Sequence, residues 1–266
     1  MIDLHTHILP GLDDGARDME EALDMARMAV EDGIQAVVAT PHLLRSTSEL
    51  LDSRIVKKIK RSLEKELLSG GIPLKVYLGA EVHISHNLME TIHRHRQELV
   101  LNEGSYMLLE FPADHLYSDV GRLFFDLMTE GITPVIAHPE RNSVLARYPE
   151  KMAEFIVTGV RCQINSGSLL GVYGGASKEA AWNFLESRCV HFLASDCHST
   201  RSLVPHLGKA AGLIREKLGE KTARALVEDN PQAALENRPL PFVPDPVKRK
   251  EKKRTLKIRI PSFLKR

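Results

Sequence analysis

Short apolar runs alternate along the chain with longer stretches in which apolar residues recur every three or four positions. Seven of the runs read as strands: MIDLHTH (1–7), IQAVVATPH (34–42), LKVYLGAE (74–81), YMLLEFP (106–112), TPVIAHPER (133–141), VRCQINS (160–166) and VHFLASDCH (190–198). Aliphatic and β-branched runs of this length, bounded by turn-forming residues, are what buried strands require. Between them lie helical patterns. Asp18 and Glu21 have capping-box spacing, Ala22, Met25, Ala26 and Ala29 follow at helical spacing, and Gly33 is placed as a C-cap. A long charged helix is predicted around residues 48–69, with others near 86–97, 117–130, 149–158 and 177–187. Seven strands alternating with helices predict an α/β fold built on a parallel sheet, open or closed into a barrel.

The polar residues within this pattern are not scattered. His5 and His7, His42, Glu81, Glu110, His138, Asn165, and Asp196 with His198 all fall at the C-terminal ends of predicted strands. In α/β barrels that rim gathers the active site, because strands converge there and loops vary freely. A strand directs residues i and i+2 to one side, so His5 and His7 face a common centre, and SDCH repeats the arrangement with Asp196 and His198. Imidazole and carboxylate are the ligands that Zn, Mn and Fe accept. Five His and at least three acids exceed what one ion takes, about four to six ligands, so two or three ions about 3.5–4 Å apart are expected. A lone His-x-His in a strand also has a structural reading, and a lone Glu after LGA reads as a cap or a rim salt bridge. The conjunction favours metal, because buried charges need partners.

Composition narrows the class without adding chemistry. The 266 residues are 43% hydrophobic and 27% charged, which suits one large globular domain. No apolar run approaches the roughly 18 residues of a membrane span. The N-terminus lacks the regions of a signal peptide, and Cys162, Cys189 and Cys197 form no C-x-x-C pair, so a cytoplasmic protein is expected. The net charge of +1 conceals an asymmetry: residues 239–266 hold ten Lys/Arg against two Asp/Glu, while the remainder holds 26 against 33. The Pro-containing stretch NRPLPFVPDPV and the basic run after it divide the chain into a domain over 1–238 and a flexible tail over 239–266. The tail reads equally as a solvated arm or as an attachment to an anionic membrane surface, giving a membrane-associated protein. Nucleic acid is disfavoured, since no aromatic residues interleave the basic ones.

Seven motifs, DLHTHILPGLDDG, ATPH, LGAEV, LLEFP, IAHPER, INSGSLLG and ASDCH, resemble the PHP (polymerase and histidinol phosphatase) superfamily and, within it, the CpsB/YwqE branch of bacterial protein-tyrosine phosphatases. The resemblance runs from residue 1 to about 235, with the motifs in the family's order. It implies a distorted (β/α)7 TIM-like barrel with a trinuclear site at the strand ends, manganese being the usual ion and Fe, Zn or Mg alternatives. The implied ligands are His5, His7, Asp14, His42, Glu81 as a bridging carboxylate, Glu110, His138, Asp196 and His198. Asp14 is chosen over Asp13 by family position alone, Asp13 having the plain reading of a turn stabiliser.

Such a site supports phosphate-ester hydrolysis: cations activate water near neutral pH and neutralise the phosphoryl oxygens during in-line attack. Arg141 in HPER is placed to fork onto two phosphate oxygens, its alternative being a surface ion pair with Glu140. Arg201 resembles the family's second phosphate-binding arginine. Asn165 and Ser166 read either as phosphate contacts or as caps of the following helix. The implied substrate is a phosphotyrosine protein, a membrane tyrosine autokinase with a C-terminal Tyr cluster that controls capsule or exopolysaccharide synthesis. The alternatives are a small phosphomonoester such as histidinol phosphate, a nucleic-acid phosphodiester, or a non-catalytic metal-binding module.

Other mechanisms fail on spacing. A cysteine phosphatase needs Cys-x5-Arg, but Ser168, Ser195 and Leu203 stand six positions after the three cysteines. No G-x-S-x-G elbow or Walker-type loop occurs. Cys197 should point away from its flanking ligands into the packing. His83, His86, His93 and His95 read as solvated surface, with His83 near enough to Glu81 to reach the rim but left out of the ligand set. His115 and Tyr117 are placed at the substrate mouth.

Overall fold

Eight short strands, each parallel to its neighbours, carry the fold in the computed structural model of the chain, in which residues 1–43, 52–85 and 88–247 are described. β1 (Ile2–Thr6), β2 (Ala36–Ala39) and β3 (Lys75–Leu78) form one sheet in that order. β4 (Glu81–His83), β5 (Tyr106–Glu110), β6 (Thr133–Ala137), β7 (Arg161–Asn165) and β8 (Phe192–Ala194) form the other. Parallel bridges join them at two places, Thr6 to Cys197 and His42 to Glu81.

Seven predicted strands become eight because LKVYLGAE is broken. At Gly79 a Cβ would stand 2.7 Å from Leu101 Cδ2 and 3.2 Å from Val38 Cγ1, so the backbone lies directly on those side chains. The Gly79 N–H still reaches Ala39 O at 2.9 Å, and the Glu81 N–H reaches Thr40 O at 3.3 Å. Glu81 therefore opens a new strand instead of closing the old one.

The predicted helices are found as Met19–Glu31, Ser53–Ser69, Leu88–Leu99, Val120–Thr129, Glu150–Val157 and Gly174–Glu186. Residues 44–51, 86–87 and 248–266 of the predicted elements and tail, His86 among them, lie outside the described residues. Asp18 caps the first helix as expected, accepting the Glu21 N–H at 2.9 Å, but the Glu21 carboxylate bonds Arg17 instead of reaching back to Asp18. Helix Leu207–Leu218 was not predicted; it buries only Leu207, Ala210, Ala211 and Ile214, a narrow stripe of mostly small residues. No described helix is long and apolar enough to cross a membrane.

Two faces of the strands do different work. Met107 and Leu109 of β5 and Cys162 and Ile164 of β7 pack into the large core shared with the helices. Tyr106, Leu108, Val135 and Phe192 point the other way, into a smaller apolar cluster with Leu4, Val38, Leu235 and Leu240. Side chains alternate along a strand, so Glu110, Gln163, Asn165 and the Asp196 turn extend this second face beyond its apolar layer. The candidate site is thus built over a packed floor. Beyond residue 238, Leu240 is buried, Phe242 exchanges backbone bonds with the Asn230 side chain, and the Val247 N–H reaches Ser187 O at 3.0 Å.

Just before β8, His191 is fully buried, its Nδ1 accepting from the Cys162 N–H at 3.3 Å. Burial, helped by the Arg161 cation, pushes its pKa down to about 3. The unfolded chain takes up a proton near pH 6.5 that the folded chain refuses, so stability is full above that pH and falls as pH drops toward 3. Between pH 7.5 and 5 the expected loss from this residue is about 2 kcal/mol. Urea midpoints of the parent and His191→Asn, which keeps an acceptor for Cys162, should diverge in pH slope by that amount. Equal slopes would rule out the assignment.

Candidate metal centre

The turns that leave the strands aim the polar side chains. His138 follows β6 at φ 31° and Asp196 follows β8 at φ 56°. Residues other than glycine enter this left-handed region at a cost of order 1–3 kcal/mol and do so mainly at functional sites. The loop after β1 folds back so tightly that a Cβ on Gly15 would stand 2.0 Å from His7 O, and Ala16 donates to that same oxygen at 3.0 Å. This close approach brings Asp13 and Asp14 over His7.

Imidazoles and carboxylates from distant parts of the chain meet here. Glu81 is the centre: its Oε2 lies 3.1 Å from His5 Nε2 and 3.3 Å from both His7 Nε2 and His42 Nε2, and its Oε1 lies 2.7 Å from His138 Nε2. His5 and His7 Nε2 are 3.2 Å apart, and Asp196 Oδ1 is 3.2 Å from the first and 3.6 Å from the second. Asp14 Oδ1 stands 3.7 Å from His42 Nε2 and 3.6 Å from His198 Nε2. Three groups of donors result, each with ligand atoms within 4.8 Å of one another: His5, His7, Glu81 and Asp196; His7, Asp14, His42 and His198; and His42, Glu81 and Glu110. Glu81, His7 and His42 each belong to two groups; of these only Glu81, with two carboxylate oxygens, could be shared between adjacent ions, since an imidazole nitrogen has one lone pair to give.

These separations fit metal ligation. Bonds of about 2.0–2.1 Å place neighbouring ligand atoms about 2.8–3.0 Å apart in octahedral and about 3.3–3.4 Å apart in tetrahedral geometry, and the 3.1–3.3 Å distances around Glu81 Oε2 fall within that span. The hydrogen bonds behind the ligands agree. His7 Nδ1 donates to Asp13 Oδ2 at 2.7 Å and His198 Nδ1 donates to Asp196 O at 2.8 Å, so in each it is Nε2 that faces the site and would bind an ion. Asp13 also accepts from the Gly15 and His42 N–H groups, which occupies both of its oxygens.

Charge follows the same design. Burial opposes the imidazolium form of His5, but Glu81 and Asp196 outweigh it and lift its pKa to about 9. For His7, bonds to Asp13 and Glu81 overcome burial and give about 10. Burial would raise Asp13, yet His7 holds it at about 2, and Glu81 is kept well below the carboxylate range, against its burial, by His5 and His138. A pocket that keeps buried imidazoles charged has a strongly negative potential.

Arg141 lies at the mouth, its side chain 36% exposed, with Nη1 donating to Asp196 Oδ2 at 2.8 Å and the guanidinium 4.6 Å from the Tyr173 ring centre. The alternative pairing with Glu140 is not formed: Glu140 is buried and accepts from the Asn165 N–H and Ser168 Oγ instead. Arg201 is not brought to the cluster. It is exposed, its N–H bonds Ser199 Oγ at 3.3 Å, and its charge acts on Glu21. The Asn165 side chain neither caps the next helix nor opens to the mouth; it donates to Asp196 Oδ2 at 2.7 Å. Ser166 Oγ is buried with no hydrogen-bond partner among the described residues.

His83 does reach the rim, its Nδ1 3.4 Å from Glu110 Oε2, whereas His93 pairs with Glu130 on the surface, so the described histidines of that segment share no centre. His115 and Tyr117 meet edge to face at 5.3 Å on the loop after β5. Cys197 packs in the core. Of three residues behind these side chains, Gln163 and Tyr173 were given no role from the sequence and Asp13 only that of a turn stabiliser; Gln163 carries a signal in hindsight, as a polar residue at strand period with Asn165.

The CpsB/CapC family of capsular polysaccharide synthesis proteins matches residues 1–236. The chain is 36% identical over 252 residues to the tyrosine-protein phosphatase YwqE of Bacillus subtilis, covering 94% of this chain and 98% of that one. A putative tyrosine-protein phosphatase CapC of Staphylococcus aureus is 34% identical over 202 residues, 75% of this chain and 77% of that one. A crystal structure from work on YwqE of Bacillus subtilis and CpsB of Streptococcus pneumoniae, described as unique metal-dependent tyrosine phosphatases, superposes with a TM-score of 0.87 at 36% identity, covering 94% of this chain and all of that one.

Proposed function

The chain belongs to the CpsB/CapC family, and on that premise we propose that it is a metal-dependent protein-tyrosine phosphatase. One observation carries the reading: donors from β1, β4 and β5 and from the turns after β1, β2 and β8 form three overlapping ligand groups, two of which share Glu81. We assign His5, His7, Asp14, His42, Glu81, Glu110, His138, Asp196 and His198 as ligands of two or three divalent ions, with manganese the ion of choice. The bridges between the two sheets support reading the strands as a distorted barrel of seven β/α units.

When bound, the cations supply activated water and neutralise phosphoryl charge. The chain's own residues do the rest. Arg141, fixed through one nitrogen to Asp196 and stacked on Tyr173, has its other N–H groups to fork onto phosphate oxygens. Asp13 holds His7 in the tautomer that directs Nε2 inward. Arg201 has the weaker claim to phosphate, because its loop leaves it exposed beside Glu21.

The substrate we propose is a phosphotyrosine protein, a membrane tyrosine autokinase of capsule or exopolysaccharide synthesis with tyrosines clustered at its C-terminus. The three unpaired thiols support a cytoplasmic setting, and the basic run of the appended segment 239–266 suits contact with an anionic membrane surface. Phosphotyrosine peptide, histidinol phosphate and single-stranded DNA, assayed with Mn²⁺ and again after chelation, separate the readings. Metal-dependent hydrolysis of the peptide is expected. Activity on histidinol phosphate alone would overturn the substrate assignment, and turnover that survives chelation would overturn the metal.

A further inference from the structure

His5 is the most deeply enclosed of the ligand imidazoles, and the group behind it is not a carboxylate. Its Nδ1 is 3.1 Å from Gln163 Oε1. Gln163 Nε2 in turn donates to Asn165 Oδ1 at 2.8 Å, and Asn165 Nδ2 donates to Asp196 Oδ2 at 2.7 Å. His5, Gln163 and Asn165 are 0% exposed and Asp196 is 1% exposed, so no water replaces these bonds from outside. Either amide alone would accept either orientation. The chain as a whole has only one.

The carboxylate fixes every orientation in turn. Ionised Asp196 accepts and cannot donate, so Asn165 must turn its NH2 toward it. Asn165 then shows its carbonyl to Gln163, which must supply its own NH2 there and its carbonyl to His5. A carbonyl only accepts, so His5 keeps a proton on Nδ1, and Nε2, which faces Glu81, His7 and Asp196 Oδ1, is the nitrogen that would give up its proton to an ion. The same chain sorts the oxygens of Asp196: Oδ2 takes Asn165 and Arg141, and Oδ1 is left to the ions.

We infer that Gln163 is a positioning residue for the metal centre: with Asn165 it forms a one-way amide relay through which Asp196 sets the tautomer of His5, coupling two ligands that approach the site from β1 and from the turn after β8. Its counterpart at His7 is the direct bond to Asp13. The inference rests on the metal reading above. Outer-shell partners of this kind typically change metal affinity about 10–100-fold when removed.

Gln163→Met keeps length and volume and removes both polar ends. If Gln163 only fills the core, that variant should bind metal like the parent, since an apolar isostere is well tolerated in a buried position. If it is the relay, the Mn²⁺ dissociation constant, read by the EPR signal of free Mn²⁺, should rise at least about tenfold. Long-range ¹H–¹⁵N spectra of the parent loaded with diamagnetic Zn²⁺ should show His5 carrying its proton on Nδ1. Binding within twofold of the parent, or a His5 proton on Nε2, overturns the relay. Should Gln163→Met fail to fold, the spectrum of the parent decides alone. A parent that takes up no Mn²⁺ would instead sink the metal reading itself.

Discussion

Glu81→Gln should lower phosphotyrosine hydrolysis by roughly a thousandfold or more at fixed Mn²⁺, since the charge stabilisation that ions supply is worth several kcal/mol and each 1.4 kcal/mol is a factor of ten. It should also reduce the metal retained after dialysis. Four imidazoles, those of His5, His7, His42 and His138, face this one carboxylate across 2.7–3.3 Å. Glutamine keeps the shape but removes the charge with which Glu81 would bridge ions, and it puts an NH2 against at least one of the facing imidazole nitrogens. The loss should fall on kcat and metal content together. A variant that retains the parent's metal stoichiometry and keeps its kcat within tenfold would remove Glu81 from the centre of the site.

Arg141→Ala should act on phosphate and leave the metal in place. Losing a charge-assisted fork costs about 1.5–3 kcal/mol, which predicts a fall in kcat/KM of roughly one to two orders of magnitude and a matching loss of inhibition by inorganic phosphate. Metal content should hold, because Asp196 Oδ2 keeps its bond from Asn165. Arg141→Lys should recover only part of the loss, since an ammonium cannot present the planar fork or stack on Tyr173 at 4.6 Å as the guanidinium does. Unchanged kcat/KM in Arg141→Ala would exclude the residue from phosphate binding.

The residues that gather around Glu81 were legible because strand chemistry is local. The i, i+2 rule alone puts His5 beside His7, and each strand ends on a polar residue that a buried position would not tolerate unpaired. What the residues could not show by themselves was which of two adjacent acids enters the site. Family position favoured Asp14, and the structure explains what Asp13 does instead: both of its oxygens are taken, by His7, Gly15 and His42. That depends on a loop return allowed by Gly15, a contact between segments that no period encodes. Gln163 and Tyr173 were passed over for a similar reason. Their roles depend on partners in other β/α units, Gln163 touching His5 158 positions away. His83, left out of the ligand set although near enough to reach the rim, does reach it: its strand, paired with β5, carries it to Glu110. The extra strand came from the same kind of contact, Gly79 against Leu101.

Anomalous diffraction at the manganese edge from crystals soaked in Mn²⁺ addresses the shared-ligand centre directly. Two or three peaks should appear, about 3.5–4 Å apart, between His5, His7, Glu81 and Asp196, beside His42, His198 and Asp14, and against Glu110. A fully soaked crystal with no peak within bonding distance of Glu81, or with its only peaks on the surface, would contradict the account.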